Sequence, residues 1–425
     1  MNGIRSRSLT SGLLPQLGSV LLVASLLGCL VAAGAPHARA SGAPTHAPIV
    51  ITKDTDFTSC ACVTSGTGTA TNPYVIGPWA INNAGVGVAI TGGASLTKSF
   101  VLSNLTIAGN AAPTTVGIHL SNINVSVAKV TGTQTSIQTA GTGILVENSS
   151  NVTLDGGGAN KRGPGVGMNA GTINHNSVGA IDVEHSSGIT IRGWQLSADG
   201  ADGSPDYVAF NPAIQPYWNV GGVRFFGVTN STIDHTAANN DTSISYSLFD
   251  SSNDTISNNT ANYPFTTNVL ITDGSSYNQV TGNDFSTGDF FGILIADPLP
   301  GTWTLASFGA THDNRVQGNF DHSDGPTGTE KAAGIVPAFL GGIVVLNGTY
   351  DNTITGNTAQ SSTGGNLVWA QAVPNSSTPI GVDNYPPVEH CNVTASEGGG
   401  GLPNLNGNVW TGNSVQQQDP CIPAQ

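Results

Sequence analysis

Charge is scarce in this 425-residue chain: 9% of residues are charged, with 12 Lys and Arg against 26 Asp and Glu. So few cations cannot neutralise a run of phosphates, which excludes nucleic acid as a partner. Cysteine is scarce too, with five in all, and aromatics stand at 6%. Helical periodicity is missing throughout. Beyond the first 40 residues no apolar run is long enough to cross a bilayer, so no membrane span is expected there. In place of these the chain has 56 glycines and a polar vocabulary of Ser, Thr and Asn. That composition alone would fit disorder. Regularly placed aliphatic residues argue for a fold, because a disordered chain has no reason to keep them in step.

The regularity is clearest from Ile144 to Val280. An apolar residue there is answered by another ten positions later, in five successive passages: Ile144 and Leu154, Ile181 and Ile191, Val223 and Ile233, Tyr246 and Ile256, Leu270 and Val280. Each passage reads as a short strand, a Ser/Asn corner, a second short strand and a Gly/Asn corner, as in GILVENSSNVTLDGG. Strands this short cannot bury a face alone and must stack on copies of themselves. The first members of these pairs are 37, 42, 23 and 24 residues apart, so a bare turn is 23 or 24 residues and two consecutive turns carry insertions. Both insertions, roughly 157–176 and 197–219, are read as leaving the same corner and forming one raised wall. Later decorations at 298–311 and 371–405 leave after the first strand, and 325–340 leaves from the corner of the early pair. The glycines at 398–401 are expected to be mobile.

These features predict an all-β chain: a single-stranded right-handed parallel β-helix of ten or more rungs over 72–415. An irregular cap at 41–71 precedes it and a tail at 416–425 follows. Corner residues Asn283, Asn319, Asn357 and Asn413 are placed to stack as amide ladders. A β-propeller would need about twice this repeat length.

The first 40 residues read as a secretion signal: Arg5 and Arg7, an apolar run around Leu17 to Ala35, and Ala38-Arg39-Ala40 as a cleavage site. Its removal takes three basic residues and leaves a net charge of −17. A competing reading makes Leu26-Leu27-Gly28-Cys29 a lipoprotein box with an acylated Cys29; a Leu before the Gly and the apolar chain after the Cys speak against it. A third reading is an uncleaved anchor. The expected location is outside the cell or on its surface, where cysteines are oxidised. About ten rungs at ~4.8 Å separate the chain ends by about 50 Å, so disulfides must be local. The expected bridge is Cys391 to Cys421, with Cys60 and Cys62 either a tight loop or two free thiols.

NPYVIGPWAINN from Asn72, followed by G-x-x-I-T and the recurring N-x-[IV]-x-G-N of NRVQGN and NTITGN, resembles the parallel β-helix repeats of the pectin-lyase-like superfamily, and in particular the NosD-like proteins. The likeness spans roughly Asn72 to Asn413. It implies the fold and an exported protein, and it carries no chemistry, because the superfamily holds lyases, hydrolases, alginate-modifying enzymes and adhesins alike. The four catalytic elements of polygalacturonase-like enzymes are missing. Ile233-Asp234-His235 matches one element of pectate lyases without its basic cluster.

Strand alternation then sorts the charged residues. With Leu154, Ile191 and Ile233 inward, Asp155, Arg192 and Asp234 face outward in one file. The two carboxylates fall about 10 Å apart, near the separation used by inverting glycosidases. The competing reading is an ion-pair ladder, in which Arg192 keeps both carboxylates charged. Asp182 and Arg224, with Glu184 and Glu147 nearby, form a second outward file, read as a solvated pair or as part of a substrate site. In the second insertion Asp199, Asp202, Tyr207, Tyr217 and Trp218 suit sugar rings, or pack that insertion onto the helix. His312, Asp313, Asp321, His322 and Asp324 form a polar cluster that either binds metal or is solvated. No cofactor and no metal site is assigned, although a structural calcium stays open. Two functions remain: a non-enzymatic surface scaffold binding a glycan or envelope polymer, and a polysaccharide lyase or inverting hydrolase working at rungs 144–235. The first needs no catalytic motif and tolerates the shortage of cations. Oligomeric state has no sequence signal.

Overall fold

The computed structural model describes residues 42–425 apart from 83–84, 111, 160–162, 168, 201–220, 242–243, 265–266, 289–290, 297–308, 325–340, 347–348, 363–366, 373–387, 391–406, 416–417, 419–421 and 423–425. Residues 1–41 with Cys29, Asp202, Tyr207, Tyr217, Trp218, Cys391, Cys421 and the glycines at 398–401 lie outside the described residues.

Among the described residues, strands form three sheets of 12, 12 and 11 strands. Each turn of the chain visits each sheet once. Gly179–Glu184 lies in the first sheet, Thr190–Arg192 in the second and Trp194–Ser197 in the third, before Gly221–Phe226 returns to the first. The architecture is a right-handed parallel β-helix. A turn holds three strands where the sequence pattern shows two. The third, such as Ala237–Asn239 or Thr260–Asn262, is only three residues long with a small Ala inward, which leaves no readable alternation.

That third strand changes the reading of the insertions. Gly171–Asn174 is a third-sheet strand, so the first insertion occupies 156–170, between the second and third sheets. The second occupies 198–220, between the third and first sheets. The two therefore leave from different corners, and not from one shared corner as the spacing suggests. The first lies along its own corner, where the Gly165 N–H donates to the Asn258 carbonyl (2.8 Å) three rungs further on.

Register follows the inward aliphatic files. Ile144 pairs with Ile181, Ile181 with Val223, and Val223 with Tyr246. Tyr246 then pairs with Val269, while Leu270 pairs with Ser247 and faces outward, one residue away from the expected register. The corner from Asp273 to Asn278 carries one residue more than its predecessor, which lengthens the ten-residue beat to eleven there. In the second sheet Leu154, Ile191, Ile233, Ile256 and Val280 stack as expected. Large and small residues compensate across the core: Tyr246, whose own rung has Ala261 at the third-sheet position, approaches Phe285 (6.2 Å between centroids), the third-sheet residue of the next rung. The Tyr246 hydroxyl lies 3.0 Å from the carbonyls of both Thr236 and Thr260, so its proton is satisfied in the core.

The amide ladder is present: Asn259, Asn283, Asn319 and Asn357 each pass an Nδ2 hydrogen bond to the Oδ1 of the next, ending at Asn413 (2.9–3.1 Å). A second ladder runs through Asn278, Asn314, Asn352 and Asn408. These amides occupy buried corners where backbone groups have no strand partner. The N-terminal cap is more regular than expected. Ile49–Ile51 adds a parallel strand to the first sheet, and the helix Asp54–Ser59 lays Phe57 against Tyr74 and Phe100 to close the core. Cys60 and Cys62 are joined by a disulfide.

Asp254 stands in the second ladder where its successors are Asn. Its Oδ1 accepts from Ser231 N–H (2.7 Å), and Asn278 Oδ1 accepts from Asp254 N–H. Its Oδ2 has no hydrogen-bond partner among the described residues, whereas the matching amide nitrogens of Asn278 and Asn314 donate to the carbonyls of Ser251 and Ser275. Burial pushes this carboxyl up to about 8. An acid with a raised folded pKa stabilises fully below its unfolded pKa of about 3.9, and that contribution is lost as pH rises towards 8. Asp254→Asn should match the wild type near pH 4 and exceed its stability at pH 8 by about 1–3 kcal/mol. Thermal unfolding at the two pH values checks this; a Tm difference that does not change with pH would contradict it.

Candidate functional site

The first sheet has the longest strands, and each presents two outward positions between inward residues. One outward file runs His119, Leu145, Asp182, Arg224 and Ser247; the other runs Ser121, Glu147, Glu184, Phe226 and Phe249. Parallel register thus brings His119, Glu147, Asp182, Glu184 and Arg224 onto four successive rungs of one face. Arg224 grips Asp182 with two hydrogen bonds, Nε to Oδ1 (2.9 Å) and Nη2 to Oδ2 (2.7 Å), and reaches Glu184 Oε1 at 2.6 Å. His119 Nε2 lies 2.5 Å from Glu147 Oε2.

This group is not the solvated pair expected from the sequence. The Asp182 side chain is fully buried and Arg224 is 7% exposed, with the guanidinium on both carboxylate oxygens and over the Phe226 ring (5.8 Å). Glu184 keeps 21% exposure and Glu147 keeps 30%. Burial, followed by the charge of Asp182, pushes the Glu184 carboxyl up to about 7; Arg224 opposes the shift and Glu147 adds to it. A carboxyl that holds its proton near neutral pH can act as a general acid. His185, at the end of the same strand, packs edge-on to Phe226 (5.1 Å) beside this group.

The second sheet holds Asp155, Arg192 and Asp234 in one outward file, as alternation predicts. There Asp155 accepts from both Arg192 Nη2 (2.7 Å) and Lys129 Nζ (3.0 Å). Asp234 is held by His235 Nδ1 (2.7 Å), Ser257 Oγ (2.9 Å) and Asn258 Nδ2 (3.0 Å). Partial burial works to raise both carboxyls, but the hydrogen bonds outweigh it and leave both below their ordinary values. A carboxylate so held cannot donate a proton near neutral pH, so this file has the character of the ion-pair ladder.

Asp199 is also buried. It turns into the corner between the third and first sheets, where it accepts from the backbone and side-chain amides of Asn176 (3.0 and 2.7 Å). Burial and the neighbouring Asp241 hold it protonated well above the ordinary range. The cluster around His312 is dispersed by the fold. His312 and Asp313 sit at the corner between the first and second sheets, and His322 faces out beside Asp284. Asp321 takes an inward core position between Phe285 and Ala359, with Asp324 as its neighbour. Gly292 leaves room for it, since a Cβ there would lie 1.9 Å from Asp321 Oδ1. Among the described residues no group of three His, Cys, Asp or Glu is placed to hold a metal.

Sequence reasoning passed over His119. Its passage VGIHLSN precedes the strict ten-residue beat, and only alignment of GIHLS with GILVE and AIDVE shows that His119 shares an outward file with Asp182.

No protein-family model and no curated protein matches the chain. Among solved structures it is similar to an alginate lyase from Paenibacillus sp. str. FPU-7, at 11% identity and TM-score 0.39 over 88% of this chain and 96% of that one. It is also similar to the periplasmic alginate epimerase AlgG, at 10% identity and TM-score 0.26 over 79% of this chain and 75% of that one. A third is the DFA-IIIase from Arthrobacter chlorophenolicus A6 without its lid, at 12% identity and TM-score 0.31 over 66% and 70%. At such identities the likeness concerns the fold alone.

The two arginines should differ sharply. Arg224→Met leaves Asp182 buried without its counter-charge and should cost about 3–5 kcal/mol. Arg192→Met, at an exposed pair, should cost about 0–1 kcal/mol. Urea unfolding measures both; equal losses would contradict the contrast in burial.

Proposed function

We propose that this protein is a carbohydrate-active enzyme that hydrolyses a glycosidic bond in a neutral extracellular polysaccharide, at the outer face of the first sheet. The observation that carries the proposal is Glu184, raised to about 7 and paired in register with Glu147 on the next rung. Strands one rung apart are about 4.8 Å apart. Backbones at that spacing can carry two carboxyl groups at the separation of about 5–5.5 Å used by retaining glycosidases. Glu184 is the general acid that protonates the leaving oxygen. Glu147, positioned by His119, is the nucleophile that forms the glycosyl-enzyme. Water then attacks that intermediate, with Glu184 taking its proton. The inverting geometry expected for Asp155 and Asp234 gives way to this closer pair because both aspartates are held as charged hydrogen-bond acceptors.

Charge selects the substrate class. A lyase acting on uronates needs a free cation, and Arg224 already serves two carboxylates. A strongly acidic chain also repels an anionic polymer. Export follows from the reading of residues 1–40, and the Cys60–Cys62 disulfide fits an oxidising compartment.

A panel of neutral and anionic polysaccharides, scored for binding and for new reducing or unsaturated ends, tests the proposal. Reducing ends should appear from a neutral polymer, and the rate should fall as pH rises through about 7, where Glu184 loses the proton it must donate. Glu184→Gln should lower the rate about 100- to 10,000-fold with Tm preserved. Binding without any cleavage would return the protein to the scaffold reading; unsaturated ends would make it a lyase.

A further inference from the structure

Beyond the reacting groups, the corner between the first and second sheets carries a file whose residue types change along the helix. Successive rungs place Ser150, Ser187, Thr229, Ser252, Ser276, His312 and Tyr350 in one file of backbone bridges. The next residue along is Asn151, Gly188, Asn230, Asn253, Tyr277, Asp313 and Asp351, all with φ between 53° and 63°. That left-handed conformation suits Gly, Asn and Asp and disfavours bulky side chains. Tyr277 adopts it with its side chain largely in solvent, at 55% relative exposure, where burial returns little. Tyr263 shares this conformation and exposure at another corner, and what sets Tyr277 apart is the rings on the rungs beside it.

The neighbouring rungs complete a surface of rings. Tyr350 is 37% exposed and stacks face to face on His312, with centroids 4.7 Å apart and planes 8° apart. Tyr277 meets His312 edge-on at 5.6 Å. His312 Nδ1 lies 2.8 Å from Asp313 Oδ2, which fixes the ring, and Asp313 remains 38% exposed. The three rings cover two rung spacings, about 10 Å, along the helix axis.

We infer that the Tyr277 ring, turned perpendicular to the His312–Tyr350 stack and flanked by the edges and polar atoms of those two rings, is the stacking platform for a neutral glycan chain laid along the helix axis. Sugar rings offer apolar C–H faces to aromatic rings and hydroxyls to nearby acceptors, here Asp313. Carboxylates at Asp313 and Asp351 flank the platform against Arg315 in the adjoining strand, which disfavours an anionic polymer. The inference rests on the proposed function for its ligand class alone. The rung of Tyr277 lies three spacings from that of Glu184, about 15 Å, so one extended chain can span both.

The test is affinity electrophoresis of the full chain in gels containing soluble xylan, mixed-linkage β-glucan, galactan, alginate or polygalacturonate, with Tm recorded for every variant. The wild type should be retarded by at least one neutral polymer. Tyr277→Ala/Tyr350→Ala should weaken that retardation at least about tenfold, in line with the loss of base–ring or sugar–ring stacking in general. Tyr277→Asn restores the residue type of its file; it should weaken binding while Tm stays level or rises. Undiminished binding in the double variant, retardation only by the anionic polymers, no retardation of the wild type by any polymer, or a fall in Tm for Tyr277→Asn would each overturn the inference. Since the readout is retention of polymer, the platform stands or falls whether or not cleavage is found.

Discussion

The whole structure depends on in-register stacking of rungs. A strand of three to six residues has only the rungs above and below as hydrogen-bonding partners, so each turn must repeat the backbone path of its neighbour. Inward positions then fall in columns, and the amides of the two Asn ladders close the corners where the path bends. Outward positions fall in columns as well. Register therefore acts as the device that concentrates function: residues 28 to 42 apart in the chain, such as His119 and Glu147 or Asp182 and Arg224, meet because they occupy adjacent places in a column.

The same constraint explains why two similar charged columns behave differently. On the second sheet Asp155 and Asp234 have several donors each and some access to water, so they stay charged. On the first sheet Arg224 is drawn down over Asp182 and both are buried, which leaves Glu184 to share one cation with a fully buried carboxylate. Its neutral form is favoured by burial and by like charge together. A buried ion pair is weak support for stability in itself. Here its consequence is that the Glu184 carboxyl is pushed up to about 7.

Much of the fold was legible because period-2 strands and a 23–24 residue turn leave a strong imprint: the aliphatic columns and the Asn283–Asn319–Asn357–Asn413 ladder are where the sequence places them. The third strand was not legible, since Ala237–Asn239 offers one small inward side chain, and missing it put both insertions at one corner. The register at Leu270 slipped by one because a single extra corner residue is invisible without a structure. Of the site, alternation identified Asp182, Glu184, Glu147 and Arg224 as outward neighbours. Their burial was not legible, because it depends on the path of Arg224 over its neighbours and not on spacing. Tyr277 is readable in hindsight as the bulky member of a corner file otherwise made of Asn, Gly and Asp.

The proposed chemistry requires that Glu184 hold a proton near neutrality while sitting one rung from Glu147. Carbon-13 NMR of side-chain carboxyl-labelled glutamate, with Glu184 assigned by its Gln variant, measures this directly. A Glu184 midpoint near 7 is the predicted result; a midpoint at the ordinary glutamate value of about 4.3 would contradict the account.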